Sequence, residues 1–462
     1  MKKHYIFSLC LCFLCTTFSF RLSAQEYNNF DLNKYYTPDI VRNALGFGMS
    51  INDNFNSHSS SNDTISSNYL RWYFNPTFSR YKDTRKRITT FSVGGTTNGS
   101  SQQSNNLYRS RYSDNNALIN YNTSFYNKKN NFLTFNASGD YRGSSSDINQ
   151  KNDAGEIILE NYNKSNLWNL RASIGIGKGR IEQVTDARQA VYILDELSKR
   201  GKLTKTLSDI EIFNFAQTIS KVKNKRFLDA RLHRIDEITT VDSFLVKNNY
   251  LTSQDAGYFS TLYDFWEYGD LYYRGSGQSF EINITPTVTI DKYTFKTTNN
   301  LDENRSTDRT YNADLNLIYR FEKSVGLNWQ HSLTTSLALG ISDYDTEHQL
   351  QTNGIRTNGT FIVNYYLSFY PSTRTSFSIN AYHNNSLLFY KNTTISHVVE
   401  PDYRANNISS AIRASVNYYF SPQLRLSGNA GLNYPYKSIN YNDLKEKYFN
   451  PGIGASVNYY FF

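Results

Sequence analysis

Apolar and polar side chains alternate with a period of two through most of this chain, and no other feature constrains the fold as strongly. One apolar series consists of Ile412, Ala414, Val416, Tyr418 and Phe420. Polar residues and one tyrosine lie between these positions, and the same alternation recurs over 311–321 and 424–434. Because successive side chains of a β-strand point to opposite faces, the pattern predicts strands with one apolar face and one polar face.

The composition indicates what the apolar face contacts. The chain contains 38 Tyr and 30 Phe, yet its mean hydropathy is only −0.59. An outer-membrane barrel has this combination, because its exterior carries aromatic girdles and its interior is polar, whereas disordered chains are poor in aromatic residues. The predicted fold class is therefore membrane all-β: an antiparallel transmembrane β-barrel of about 16 strands, with 14 as the alternative, since single-chain bacterial barrels have even strand numbers.

The first 24 residues are organised like an export signal. Lys2 and Lys3 precede an apolar run that continues to about Phe20, and the small residue Ala24 precedes Gln25. We predict a signal peptide over 1–24, because the apolar run is too short to span a membrane comfortably. All three cysteines of the chain lie within this segment, so the predicted mature chain has no disulfide, thiol nucleophile or cysteine metal site.

The hydrophobic period changes from 2 to about 3.6 between Thr185 and about Tyr268. Four successive apolar stripes predict four amphipathic helices, and Ser208 with Glu211 has the spacing of a capping box at the start of the second helix. The predicted organisation is a signal peptide (1–24), an N-terminal extension (25–44), a first part of the barrel (45–178), a helical insert (179–269) and a second part of the barrel (270–462).

The strand count predicts the side of the membrane on which the insert lies. Six strands are predicted before it and nine after Gln278, which gives an odd total. A short strand near Leu271–Arg274 would restore an even number and place the insert with the short, periplasmic turns, whereas a miscounted strand would place it outside. The polar stretches 343–358 and 390–407 are predicted as long loops, and the glycines between Gly175 and Arg180 as a flexible exit into the insert.

The C-terminus gives the first resemblance to a known class. The chain ends with Phe461 and Phe462, and a terminal aromatic strand that finishes in Phe resembles the assembly signal of bacterial outer-membrane barrels. This resemblance implies that the barrel-insertion machinery recognises the last strand and that the barrel contacts outer-membrane lipid. The junction from Leu22 to Gln25 and the Tyr- and Asn-rich strands resemble Bacteroidetes outer-membrane barrels, an uncharacterised porin-like family. The likeness covers 45–178 and 270–462 and implies no substrate.

The same resemblance bears on Thr64. The sequence Asp63-Thr64-Ile65 resembles the site at which Bacteroidetes attach O-glycans to exported proteins, and a plain polar loop is the alternative interpretation.

Candidate lumen-lining residues lie on the predicted polar faces: Arg320, Arg413, Arg425 and Asn417. They can line a conducting pore and favour anions, or they can pair with acidic residues and fill a narrow lumen. No pair of histidines has the spacing of metal ligands, and no catalytic or cofactor-binding set is predicted. The formal charge of +9 comes from scattered residues, which does not indicate nucleic-acid binding.

The sequence thus favours a porin-like channel of the outer membrane over the alternatives. The insert is expected to gate this channel or to bind a periplasmic protein. One alternative is a non-conducting barrel that anchors an envelope complex. An outer-membrane enzyme is the less favoured alternative, and the protein is not expected to be an enzyme.

Overall fold

Long antiparallel strands make up most of the molecule. The computed structural model describes residues 27, 30–59, 64–105, 107–152, 154–225, 230–298, 300–347, 352–395, 398–399, 401–421, 424–440 and 444–459. The predicted signal peptide and the predicted assembly signal at Phe461 and Phe462 lie outside these residues.

Sixteen strand segments occur in the described residues, six before the helices and ten after them. The first group is β1 (Ile40–Ser59), β2 (Thr64–Thr84), β3 (Arg87–Ser104), β4 (Tyr108–Tyr126), β5 (Asn131–Lys151) and β6 (Ile157–Gln183). The second group is β7 (Gly275–Thr297), β8 (Asn300–Val325), β9 (Trp329–Thr346), β10 (Thr352–Ser372), β11 (Thr375–Ile395), β12 (Val398–Val399), β13 (Tyr403–Tyr419), β14 (Leu424–Ile439), β15 (Leu444–Lys447) and β16 (Asn450–Tyr459).

The segments form fourteen long strands. Both β12 and β13 pair with β11, and both β15 and β16 pair with β14, so each short segment continues its neighbour along the same partner. Every strand pairs antiparallel with the next one along the chain. The predicted fold class, an antiparallel β-barrel with a four-helix insert, is confirmed, and the sixteen segments correspond to fourteen full-length strands.

The strands exceed the predicted lengths. The polar stretches predicted as loops are mostly strand, since β9 continues to Thr346 and β10 begins at Thr352. A crossing strand needs roughly 9–11 residues, whereas β6 has 27 and β8 has 26. Polar side chains do not prevent this extension, because the backbone hydrogen bonds of a ladder form regardless of side chain.

The helical insert consists of α1 (Thr185–Lys199), α2 (Asp209–Lys223), α3 (Ala230–Lys247) and α4 (Ala256–Tyr268). The predicted capping box is present at α2, where Glu211 accepts hydrogen bonds from the backbone and hydroxyl of Ser208. A hydrogen bond from Lys205, and to a smaller extent these hydrogen bonds from Ser208, lower the pKa of Glu211 to about 2. None of the helices in the described part of the chain combines the length and the apolar character that a bilayer crossing requires.

The N-terminal segment before β1 is part of the helical core. Phe30 packs against Phe213 of α2 with ring centroids 5.1 Å apart, and the Tyr35 hydroxyl lies 2.9 Å from the Ser220 hydroxyl. The side chain of Asn33 also donates to the backbone oxygen of Ser324 at the end of β8. This segment therefore ties the helices to the barrel, a role that the sequence did not indicate.

Three boundaries differ from the predictions. The first strand begins at Ile40 instead of residue 45, and β6 continues through the predicted glycine exit to Gln183. Gly177 is paired on both sides within this strand, and the Phe132 ring of the neighbouring strand occupies the space that a side chain would fill. The short strand expected near Leu271–Arg274 is wrong: this stretch is a connection, and its side chains contact the barrel as described below.

The two faces of the sheet have opposite chemistry and opposite exposure. On β7, Phe280, Ile282 and Ile284 are 44%, 37% and 54% exposed, whereas Ser279 and Glu281 between them are 8% and 7% exposed. We call the face of the sheet that carries Ile284, and all residues paired in register with it, the outer face. The face that carries Glu281 is the inner face. Apolar side chains are thus exposed on the outside while polar side chains are crowded inside, the reverse of a soluble protein.

Candidate functional site at the junction of helices and barrel

The helices lie at the end of the barrel where no other strand connection exceeds four residues, whereas the connections at the opposite end have two to seven residues. These connections join β2 to β3, β4 to β5, β8 to β9, β10 to β11 and β13 to β14, with two to four residues each. The chain enters the insert after β6 and leaves it before β7 at this same end. The placement agrees with the predicted six strands before the insert.

Arg274, just before β7, fastens the insert to the connection between β8 and β9. Its side chain is fully buried. Nη1 donates to the Leu327 oxygen at 2.6 Å, and Nη2 donates to the oxygens of Trp329 at 2.7 Å and Gly326 at 2.9 Å. Nε reaches the Ser324 hydroxyl at 3.3 Å. One guanidinium thus satisfies the carbonyls of a tight turn that would otherwise be buried without partners.

Arg188 of α1 is also fully buried, yet its charge lacks a carboxylate partner among the described residues. Its guanidinium carbon lies 4.8 Å from the ring centre of Tyr192 and 4.9 Å from that of Tyr370. Nη2 donates to the Tyr192 hydroxyl, whereas Nε and Nη1 are buried with no acceptor in the described part of the chain. The two rings offset only part of the cost of burying this charge.

Aromatic residues extend the contact to two further strands. Tyr272, in the connection after α4, stacks on Tyr370 near the end of β10 with ring centroids 4.7 Å apart. Tyr268 packs edge-on against Tyr419 at the end of β13. Tyr370 and Tyr419 lie on the inner face, because they alternate with the outer-face residues of their strands. The insert therefore contacts the inner surface of the barrel at this end.

An ion pair completes the junction. Arg374, in the connection between β10 and β11, donates to the Asp264 carboxylate of α4 at 2.8 Å, and its guanidinium lies 5.4 Å from the Tyr268 ring centre. Both partners are more than a third exposed, so the pair is partly screened by solvent. Such a contact can break and reform at small cost.

The junction is positively charged. We call Arg188, Tyr272, Arg274 and Tyr370 the junction cluster. Burial, followed by the charge of Arg188, lowers the pKa of Arg274 to about 9, which leaves it charged at neutral pH. Burial raises the pKa of Tyr272, while the Ser376 hydroxyl and the charges of Arg425 and Arg188 act in the opposite direction.

The structure brings two of the predicted lumen residues together. Arg425 of β14 donates from Nη2 to the Asn417 oxygen at 2.5 Å, and the Asn417 amide donates to the Ser376 hydroxyl at 3.3 Å. Arg320 lies on β8, where Nη1 is 3.4 Å from the Glu281 carboxylate. Arg413 lies on β13, opposite Asn380 and Gly431. All four lie on the inner face, and whether they line a conducting path stays a prediction.

Other candidate sites receive no test from the structure. Thr64 begins β2, and the structure does not describe its side chain, so its O-glycosylation stays a prediction. Among the described residues, no group of three or more histidines, cysteines, aspartates and glutamates is arranged to hold a metal ion.

Sequence reasoning missed the whole junction cluster. Arg188 follows the apolar residue Ala187 and could have been noticed as a charge at the edge of an apolar stripe. Arg274 and Tyr272 belong to the stretch for which the alternation favours a short strand. Their roles depend on turns more than fifty residues further along the chain, and no local pattern carries that information.

Comparisons with known proteins add little. Neither a protein family model nor a curated protein matches the chain. One solved structure that resembles it is the transport unit of the autotransporter AIDA-I from Escherichia coli, at 8% sequence identity. The match covers 82% of this chain and 91% of that chain, with a TM-score of 0.28. A likeness this low carries no argument for fold or function, so the proposals below rest on the chain itself.

Proposed function

We propose that this protein is an outer-membrane channel whose helical insert closes the end of the lumen on the short-turn side. The observation that carries the proposal is the inverted burial of the two faces of the sheet. On β6, Leu170, Ile174 and Ile176 are each about 60% exposed on the outer face. Leaving one such side chain in water instead of burying it costs about 1.5–3 kcal/mol. A continuous band of them requires an apolar solvent, and lipid supplies one.

The hydrogen bonding of the backbone supports the same surroundings. In lipid every backbone donor and acceptor must be satisfied within the protein, which a closed antiparallel barrel achieves. In outer-membrane barrels the short turns face the periplasm. On that basis we place the insert in the periplasm, where it would gate the channel or receive a periplasmic partner.

The junction supports a movable insert. Arg188 carries a buried charge that contacts two tyrosine rings and one tyrosine hydroxyl but no carboxylate among the described residues, so docking of the insert includes a desolvation cost that undocking would remove. The Arg374–Asp264 pair is partly exposed and is therefore weak. Two states of similar free energy are what a gate requires, because a modest signal can then shift their populations.

A charge reversal tests the gate. Arg374→Asp should repel Asp264 and raise the open probability of the full-length protein in planar bilayers several-fold. The double variant with Arg374→Asp and Asp264→Arg restores the attraction and should return the open probability toward that of the wild type. The matched control is Arg305→Asp, which reverses an exposed pair with Glu303 on β8, away from the insert.

Folding is checked in the same samples. A folded barrel should resist SDS at room temperature and change its mobility after boiling, and the mature chain should fractionate with outer membranes. Recovery of the chain in the soluble periplasm would contradict the membrane assignment. Equal open probabilities for the three Arg374 and Asp264 forms would contradict gating by the insert.

A non-conducting anchor is the second candidate function. It is favoured by large apolar side chains exposed on three helices of the insert: Ile210 (73%), Ile235 (64%), Phe259 (43%) and Tyr263 (51%). Surfaces of this kind often bind a partner protein. Folded protein that stays silent in bilayers, in both wild-type and Arg374→Asp form, would favour this anchoring role over the channel.

A further inference from the structure

The outer face of β6 and β7 changes from apolar to basic toward the end of the barrel opposite the insert. In that direction, the apolar series on β6 finishes at Trp168 and the series on β7 finishes at its register partner Ile290. Beyond them the outer face carries Lys292 on β7 and, after Asn166, Lys164 on β6. From this change, and resting on the membrane placement in the proposed function, we infer that the two lysines bind the phosphate of a glycolipid in the outer leaflet.

The two lysines are diagonal neighbours on adjacent strands. Lys292 pairs in register with Asn166, two residues from Lys164 on the same face. Diagonal neighbours of this kind are about 7–8 Å apart, which long side chains can span. Two lysine side chains in these positions can therefore converge on one phosphate.

Neither charge is compensated by the protein. Both Lys164 and Lys292 are exposed, and neither forms an ion pair with any carboxylate among the described residues. Lys296, further along β7, differs because it lies 2.9 Å from the Glu160 carboxylate. The two lysines thus present free positive charge at the edge of an apolar surface.

The acidic residues of this edge lie to either side of the two strands. On β9, Asp345 pairs in register with Arg309, whose guanidinium is also 3.9 Å from the Glu347 carboxylate. On β5, Asp147 accepts a hydrogen bond from the Asn149 amide at 2.7 Å. The uncompensated positive charge is therefore confined to β6 and β7.

The edge of the apolar surface supplies further contacts for a headgroup. The Lys292 ammonium lies 5.7 Å from the Trp168 ring centre, and the Trp168 and Tyr141 ring centroids are 5.5 Å apart. The Tyr141 hydroxyl donates to the Asn166 side-chain oxygen at 3.0 Å, which leaves the Asn166 amide as a donor beside both lysines. Aromatic rings mark the interface in outer-membrane barrels. Two ammonium groups and an amide next to such rings suit a phosphate at headgroup level.

The source of the phosphate follows from the side of the membrane. With the short turns in the periplasm, this edge lies in the outer leaflet, where phosphorylated glycolipid is the main lipid of outer membranes. A free anion would meet two exposed lysines in water, where salt screens the attraction. A lipid is held at the correct height by its acyl chains, and each lysine near anionic headgroups then contributes about a fivefold gain in binding.

Native mass spectrometry of the full chain in detergent tests this site with monophosphoryl lipid A. Wild type should retain this lipid at least about tenfold better than the same lipid without its phosphate. Lys164→Gln or Lys292→Gln alone should reduce the preference about fivefold, and the double variant should abolish it. Lys178→Gln is the matched control, because Lys178 is exposed on the outer face of the same strand near the insert. It should keep the preference of the wild type.

Four results would overturn the inference. They are equal retention of the two lipids by wild type, an unchanged preference in the double variant, release of the lipid by millimolar inorganic phosphate, and equal retention of phosphatidylglycerol. Unboiled gels of the same samples show whether each variant is a folded barrel. Folded barrels without a lipid preference would leave the proposed function standing, whereas wild type that is not heat-modifiable would contradict the membrane placement itself.

Discussion

At the scale of single residues, a glycine in a strand can allow the neighbouring strands to pack closely against it. Gly177 of β6 lies beside the Phe132 ring, and a Cβ there would approach that ring within 2.2 Å and the Phe280 backbone oxygen within 2.5 Å. The ring is flexible but the backbone is not, so even a methyl group must displace β7. At Gly359 of β10, by contrast, a Cβ would make only an ordinary contact, 3.7 Å from the Leu339 side chain.

We therefore expect Gly177→Ala to destabilise the barrel by about 1–3 kcal/mol, the usual cost of overpacking. The yield of heat-modifiable protein on unboiled gels should decrease, and the urea concentration needed for unfolding should be lower. Gly359→Ala is the matched control in another strand and should behave like the wild type. Equal yields for both variants would contradict the close packing of Phe132 against β6.

At the scale of elements, the insert and the N-terminal segment form one packed unit. Their shared core contains Phe30, Leu32 and Tyr35 together with residues from all four helices. A unit of this size gains limited stability alone. Its attachment through Arg274 and Tyr272 explains how it stays ordered beside the barrel.

The side of the membrane on which the helical insert lies can be determined by labelling with a membrane-impermeant maleimide. A cysteine at Lys199, at the end of α1, should be protected in intact cells and should react after the outer membrane is permeabilised. Lys199 is suitable because its side chain is about half exposed, whereas Lys223 is held by Asp186 and Asp270 and is mostly buried. A cysteine at Ala154, in a turn at the opposite end, is the control and should react in intact cells. Reaction of the Lys199 cysteine in intact cells would place the insert outside.

At the scale of the whole molecule, closure of the barrel requires that the first strand pair with the last. Among the described residues no register connects β1 with β16. Their outer-face residues are also unusually exposed, with Leu45 at 81% and Ile453 at 91%. With fourteen long strands the two edges run antiparallel, so they can pair and remove the last unpaired backbone groups, which lipid does not tolerate.

Cysteine pairs test this closure. With one cysteine at Ser50 on the inner face of β1, the second is moved along the inner positions of β16: Gly452, Gly454, Ser456 and Asn458. One position, or two neighbouring ones, should form a disulfide within the same chain, seen as altered mobility on a non-reducing gel. A cysteine at Leu45 on the outer face and one at Ser456 on the inner face should not form a disulfide, because they point to opposite sides of the sheet. Disulfides between two chains instead would indicate pairing of open edges.

The local periods of the sequence determined the strands, the helices and the order in which they occur. A period of two and a period of 3.6 are properties of neighbouring residues, so the antiparallel sheet, the four helices and the polar placement of Arg320, Arg413, Arg425 and Asn417 could be predicted. Strand ends were less predictable, because ladder hydrogen bonds continue through polar residues and through glycines such as Gly177.

Only the tertiary structure decided what the ends of these elements do. Arg274 meets the carbonyls of residues about fifty positions away, and Arg188 meets Tyr370 almost two hundred positions away, so neither role has a local signature. The same holds for the pairing of Arg320 with Glu281, which turns a candidate anion site into a neutral pair. The sequence determines the chemistry of each side chain. The free energy of burying its charge depends on which distant groups surround it once the barrel has formed.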